Sequence, residues 1–197
     1  MRKVRILSLV MMVFGQMTTS EICQGQSTFR FTNLNPPGLD APIFDAMGNP
    51  LSGTNYVAIL YGGATFDSLA LATLPGDYTQ PMQPVPFKEL SPGYFNFVGW
   101  VGIPTVPGFN YAWLQVRAWD VRLGPTYESV VALGIGGYGE SGVFQALGGD
   151  PSVTPPIPAG YLYGLQSFSL VPEPATVLIL MLGLPLLLWS RRRPGGS

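Results

Sequence analysis

Histidine is absent from this sequence and cysteine occurs once, as Cys23. A hydroxyl or thiol nucleophile with an imidazole base cannot be assembled from such a chain. Zinc sites of the Cys/His kind and internal disulfides are excluded by the same count. Carboxylates are left. Asp120 and Glu128 flank a loop and are of the type that works as an acid/base pair in glycoside hydrolysis. Acidic residues at strand ends are ordinarily just solvated, so the expectation is a non-enzymatic protein. The glycines at 62–63 and 134–139 lack the Lys-Ser/Thr of a phosphate loop and the spacing of a dinucleotide fingerprint. Asp40, Asp45 and Asp150 stand in loops without a D-x-D-x-D-G run, and neither metal nor cofactor is expected. Trp113 and Trp119, with Trp100 nearby, offer flat faces on which sugar rings stack. The plainer assignment is that these rings cover a core.

The two tryptophans belong to YAWLQVRAWD, residues 111–120, the clearest strand in the chain. Ala112, Leu114, Val116 and Ala118 alternate with Trp113, Gln115, Arg117 and Trp119, the period-2 pattern of a strand with two unlike faces. Further strands are expected at 27–33, 56–61, 94–103, 143–147 and 165–170, with a turn at Gly48-Asn49-Pro50. Residues 127–137 read equally as a short helix or a strand, and 149–158 as an extended loop. Glycine (25) and proline (20) punctuate these runs, while 12% aromatic residues supply a core. Short strands at this spacing predict an all-β fold, an antiparallel β-sandwich of immunoglobulin-like type over residues 27–170. Between residues 27 and 190 four cations face ten carboxylates, a net of −6. A body so poor in Lys and Arg has no footprint for nucleic acid.

Both ends differ from that body. Arg2, Lys3 and Arg5 precede an apolar stretch at 6–14, followed by a polar segment with small residues. These are the three parts of a secretory signal, which we assign to residues 1–26. At the other end residues 175–189 are uncharged and dominated by Leu, Ile, Val and Met, and Arg191, Arg192 and Arg193 follow. As a helix at about 1.5 Å per residue this run is short of the ~30 Å hydrocarbon core, so it predicts a marginal membrane anchor at about 175–190. The arginines stop it on the cytoplasmic side, leaving the body outside.

Pro172-Glu173-Pro174, then an apolar run, then an arginine cluster: in this order the three parts closely resemble the PEP-CTERM sorting signal of exported bacterial proteins. The resemblance covers residues 171–193, with residues 194–197 as a tail. Gly183 falls where such signals commonly carry glycine, whereas Pro185 departs from a regular helix. The resemblance implies an exosortase as processing partner, cutting at or near Pro172-Glu173-Pro174. It implies a transient stay in the cytoplasmic (inner) membrane with the C-terminus inside, then a place at the cell surface or outside the cell. The expected role is that of a surface or extracellular-matrix protein. The alternative is a lectin-like, glycan-binding module, with exopolysaccharide as a further partner. Phrases such as GTNYVAILYGG and LQVRAWD also look like the mature parts of other PEP-CTERM proteins, which implies no chemistry.

Overall fold

The computed structural model describes residues 25–35, 37–74, 79–97 and 99–172. Residues 1–24 of the expected signal segment and the apolar C-terminal run lie outside them, as do Glu173, Pro174 and Arg191, Arg192 and Arg193. Gly25 and Gln26, expected in the signal, belong to the fold. In chain order the described elements are β1 (Gln26–Phe29), β2 (Leu34–Asn35), β3 (Leu39–Asp40), β4 (Tyr56–Gly63), β5 (Ala70–Leu71), β6 (Val85–Pro86), β7 (Val101–Pro107), β8 (Tyr111–Asp120), α1 (Tyr127–Leu133), β9 (Tyr138–Glu140) and β10 (Phe144–Leu147).

β8 organises the fold because it is long, alternating and free of proline. Along one edge it pairs with β4 over eight residues, from Tyr56 opposite Asp120 to Gly63 opposite Trp113. Along the other edge β10 takes its first half and β9 its second. β5 and β6 continue the sheet beyond β4, giving six strands with every pairing antiparallel. β1 and β7 form a separate antiparallel pair, bulged between Gln26 and Ser27, and β2 and β3 a third. Pro104 and Pro107 have no N–H to give, which suits β7 to a place with β1 as its one ladder partner. None of these sheets is closed. The architecture is thus largely antiparallel β, as the spacing predicts.

One face of β8 presents Ala112, Leu114, Val116 and Ala118, all fully buried with Leu60, Val101 and Ile103. β7 packs on β4 and β8 there, so the β1–β7 pair covers this face of the large sheet. Beyond it, Phe31 and Phe95 meet at 4.4 Å between ring centroids, and Phe87 meets Phe95 edge-on. Buried Asn33 ties this corner together. Its Nδ2 donates to the carbonyls of Ala41 and Gly93, and its Oδ1 accepts from the Phe95 N–H.

The structure resolves the ambiguity at 127–137 and corrects two expected strands. Residues 127–133 are helical, opened by a capping box in which the Thr126 hydroxyl accepts from the Ser129 N–H and the Ser129 hydroxyl accepts from the Thr126 N–H. Gly134 closes the helix in the left-handed conformation. Residues 94–103 are not one strand. β7 starts only at Val101, and Phe95 and Asn96 make isolated bridges to Phe87 and Thr32. Residues 165–170 are extended but make a single parallel bridge, Ser169 to Phe44. Backbone bonds also engage Gly25, whose carbonyl accepts from Gly108, and Val171, just outside the expected 27–170.

Candidate functional site

Two places on the fold carry residues singled out by sequence: the second face of β8, and the point where the C-terminal segment lies against the start of β9.

The second face of β8 is half covered. α1 lies over its Asp120 end, so Trp119 is only 1% exposed. Its ring meets Tyr127 edge-on, and its Nε1 donates to the Gly124 carbonyl. Trp113, six residues back, lies beyond the helix, half-buried against the exposed Phe66 with ring centroids 5.7 Å apart. The two tryptophans share a face but form no common exposed platform. Alternation could not reveal this, because both lie on the face that period 2 assigns and only α1 separates them.

Between them sits Arg117. Its guanidinium stands 3.9 Å from the Tyr61 ring centroid and 5.1 Å from that of Tyr127. Nη1 donates to Glu128 Oε1 at 3.3 Å, Nε donates to Gln115 Oε1 at 3.0 Å, and Glu140 Oε2 lies 3.6 Å from Nε. The tyrosines complete the ring of contacts. The Tyr61 hydroxyl donates to Glu128 at 2.6 Å, and the Tyr127 hydroxyl donates to Glu140 at 3.2 Å. Burial, then the bond to Glu128, pushes the Tyr61 hydroxyl up to about 12. Tyr127 is pushed up likewise, by burial and then by Glu140. Burial also pushes the Glu128 carboxyl up, but Tyr61 and Arg117 outweigh it and the net shift is downward. The sequence marked Arg117 merely as a strand residue, and nothing in it pointed to four partners from three other elements beside Gln115 of its own strand.

Beside this cluster a groove of about 400 Å³ is lined by Phe66, Asp67, Gln115, Arg117 and Glu140. An aromatic ring next to carboxylate, amide and guanidinium groups suits a polyhydroxylated ligand, which stacks on the one and hydrogen-bonds to the others.

Asp120 and Glu128 do not form a pair. Asp120 is buried and held in a fork by Arg122, whose Nε lies 2.9 and 3.0 Å from its two oxygens and whose Nη2 also contacts it. Glu128 belongs to the Arg117 cluster, and the two carboxylates line different cavities. Asp40 ends β3, while Asp45 and Asp150 stand outside the strands, so the three are spread apart. Asp40 accepts from the Tyr94 hydroxyl, Asp45 from Met47 and Asn49, and Asp150 from Ser152. Among the described residues no group of three or more His, Cys, Asp or Glu is placed to hold a metal.

At the second place the C-terminal segment is held by Phe44 on one side and by Gly137 and Tyr138 on the other. Leu170 donates to the Phe44 carbonyl, Val171 donates to the Tyr138 carbonyl at 2.7 Å, and the Gly137 N–H donates to Val171 at 3.0 Å. Gly139 allows this close approach. A Cβ on it would sit 2.8 Å from the Ser169 carbonyl oxygen and 3.1 Å from Leu170 Cα. Among the described residues the last of these bonds belongs to Val171, and Pro172 follows it. The chain matches no protein-family model, no curated protein and no solved structure. What it does must be argued from these two places alone. Among the described residues no helix is long and apolar enough to cross a membrane, and the apolar run at 175–190 falls outside them.

Proposed function

We propose that this is an exported, non-enzymatic surface or extracellular-matrix protein whose C-terminal segment is a sorting signal processed by an exosortase. Residues 27–170 serve as its β-sandwich body, of immunoglobulin-like type, a reading supported by the β1–β7 pair stacked on the large sheet. The observation that carries the proposal is one of order: Pro172-Glu173-Pro174 follows immediately on Val171, the last backbone-bonded residue among those described, and the apolar run and arginines follow the motif. Two prolines flanking Glu173 disfavour a helix there, which would present a cleavable backbone at the membrane surface. The native protein should therefore end within residues 172–174, and mass spectrometry of its C-terminus reads this directly. Replacing Pro172, Glu173 and Pro174 by alanine should leave an uncut form in the membrane fraction. A wild-type chain that keeps Ser197, with the alanine variant behaving identically, would make the tail a permanent anchor and end the exosortase reading.

A second reading, glycan binding, is favoured by the groove beside Trp113 and not by the tryptophan pair. Binding of a polysaccharide panel should be saturable, should be lost in Phe66→Ala, which removes a ring lining the groove, and should weaken in Trp113→Ala, whose ring backs Phe66. Trp119→Ala is no test of binding, because that ring is core. Absence of saturable binding in the wild type would leave the structural role alone.

A further inference from the structure

The exit of the chain is surrounded by exposed apolar side chains. A cleft of about 200 Å³ is lined there by Met47, Tyr56, Asp120, Arg122, Gly137 and Val171. Met47 is 76% exposed, the most exposed of these, and Val171 is exposed beside it. Val121, Leu133 and Ile135 are exposed too, and each lies within four residues of Asp120 or Gly137 in the chain. Arg122 stands in their midst with its charge answered by Asp120. Exposed apolar side chains also occur at the Tyr111 end of β8, as Phe109, Tyr111 and Leu147, so the position of the chain exit, and not apolarity, singles out this end.

We infer that this end of the body, carrying Met47, Ile135 and Val171, lies on the lipid surface of the outer leaflet while the tail is anchored. The inference rests on the reading of residues 175–190 as a membrane anchor. Its argument is the length of chain between the two. Only Pro172, Glu173 and Pro174 separate Val171 from the apolar run. The four steps from Val171 to Ala175, at about 3.3 Å each, reach no more than ~14 Å, so Val171 cannot stand far from the hydrocarbon. The bonds from Val171 to Tyr138 and Gly137 then bring the rest of that end down with it. β8 sets the orientation: Asp120 lies at the exit end and Tyr111 at the other, about 30 Å away by strand rise. Contact is confined to a few side chains, so cutting the tail releases the body.

The test uses the full chain with Cys23→Ser, which removes its one cysteine, reconstituted into phosphatidylethanolamine–phosphatidylglycerol vesicles. Single cysteines at Met47→Cys, Ile135→Cys and Tyr111→Cys replace exposed side chains and carry an environment-sensitive fluorophore. Circular dichroism checks that the three variants share one fold. Headgroup spin-labelled lipid should quench the labels at 47 and 135 severalfold more than the label at 111. Equal quenching at all three in protein that floats with the vesicles overturns the inference and leaves the anchor reading intact. Protein that does not float at all removes the anchor reading, and the inference falls with it.

Discussion

Arg117 shows how one side chain gathers three elements. A guanidinium stacked on Tyr61 and facing Glu128 and Glu140 joins β4, β8, α1 and β9 at a single point. Glu128 is well exposed, so its ion pair is screened and of modest worth. Its pH dependence nevertheless has a definite sign. The folded carboxyl titrates below its ordinary value of 4.5, so its contribution is complete above that value and is lost as pH falls through the lowered one. Tyr61 acts at the opposite limit. Folding favours its neutral hydroxyl, so that stabilisation is complete below pH 10 and is lost as pH rises from 10 towards about 12. Tm measured against pH should fall on both flanks. Glu128→Gln should flatten the acid flank, and Tyr61→Phe the alkaline one. Unchanged flanks in both variants would mean that the cluster contributes nothing to stability.

Among the elements, the terminal segment held on β9 is the one most open to a single substitution. The methyl of Gly139→Ala would collide with Ser169 and Leu170 backbone atoms, which belong to a segment with few bonds and can move away. Amide exchange at Leu170 and Val171 should therefore accelerate in Gly139→Ala, while the amides of β8 keep their protection. If exchange at those two residues is unaltered, the contact is looser than its geometry indicates. This segment was hard to read from sequence for the same reason: residues 165–170 have the apolar content of a strand, yet they pair at only one point. Helix α1 was hard for another. Seven residues with Val130 and Val131 among them suit either state, and its Thr126–Ser129 box lacks the usual Glu or Gln at the third position. Burial of Tyr127 and Val130 over Trp119 decided the outcome, and that contact is tertiary. By contrast β8 was legible throughout, because ten alternating residues without Gly or Pro allow no other structure.

For the molecule as a whole, local pattern told that the fold is antiparallel β but not which strands would meet. The pairing of β1 with β7 spans more than seventy residues of chain, and no local signal records it. Nor did sequence show that the two tryptophans would part company, one under a helix and one beside a groove. The motif at 172–174 was legible as a sequence, yet its relation to the fold was not: only the bond from Val171 to Tyr138 reveals that no slack chain lies between the folded body and the first proline. That has a consequence for whatever cuts there. A protease commonly needs several residues of free chain to thread into its cleft, and here a folded body sits where those residues would be. The enzyme proposed must either work with a shallow cleft open at the bilayer rim or first peel Leu170 and Val171 away. Under the proposed processing, the body would act as a stopper on the substrate strand, selecting by clearance among proteases that would all accept the same peptide.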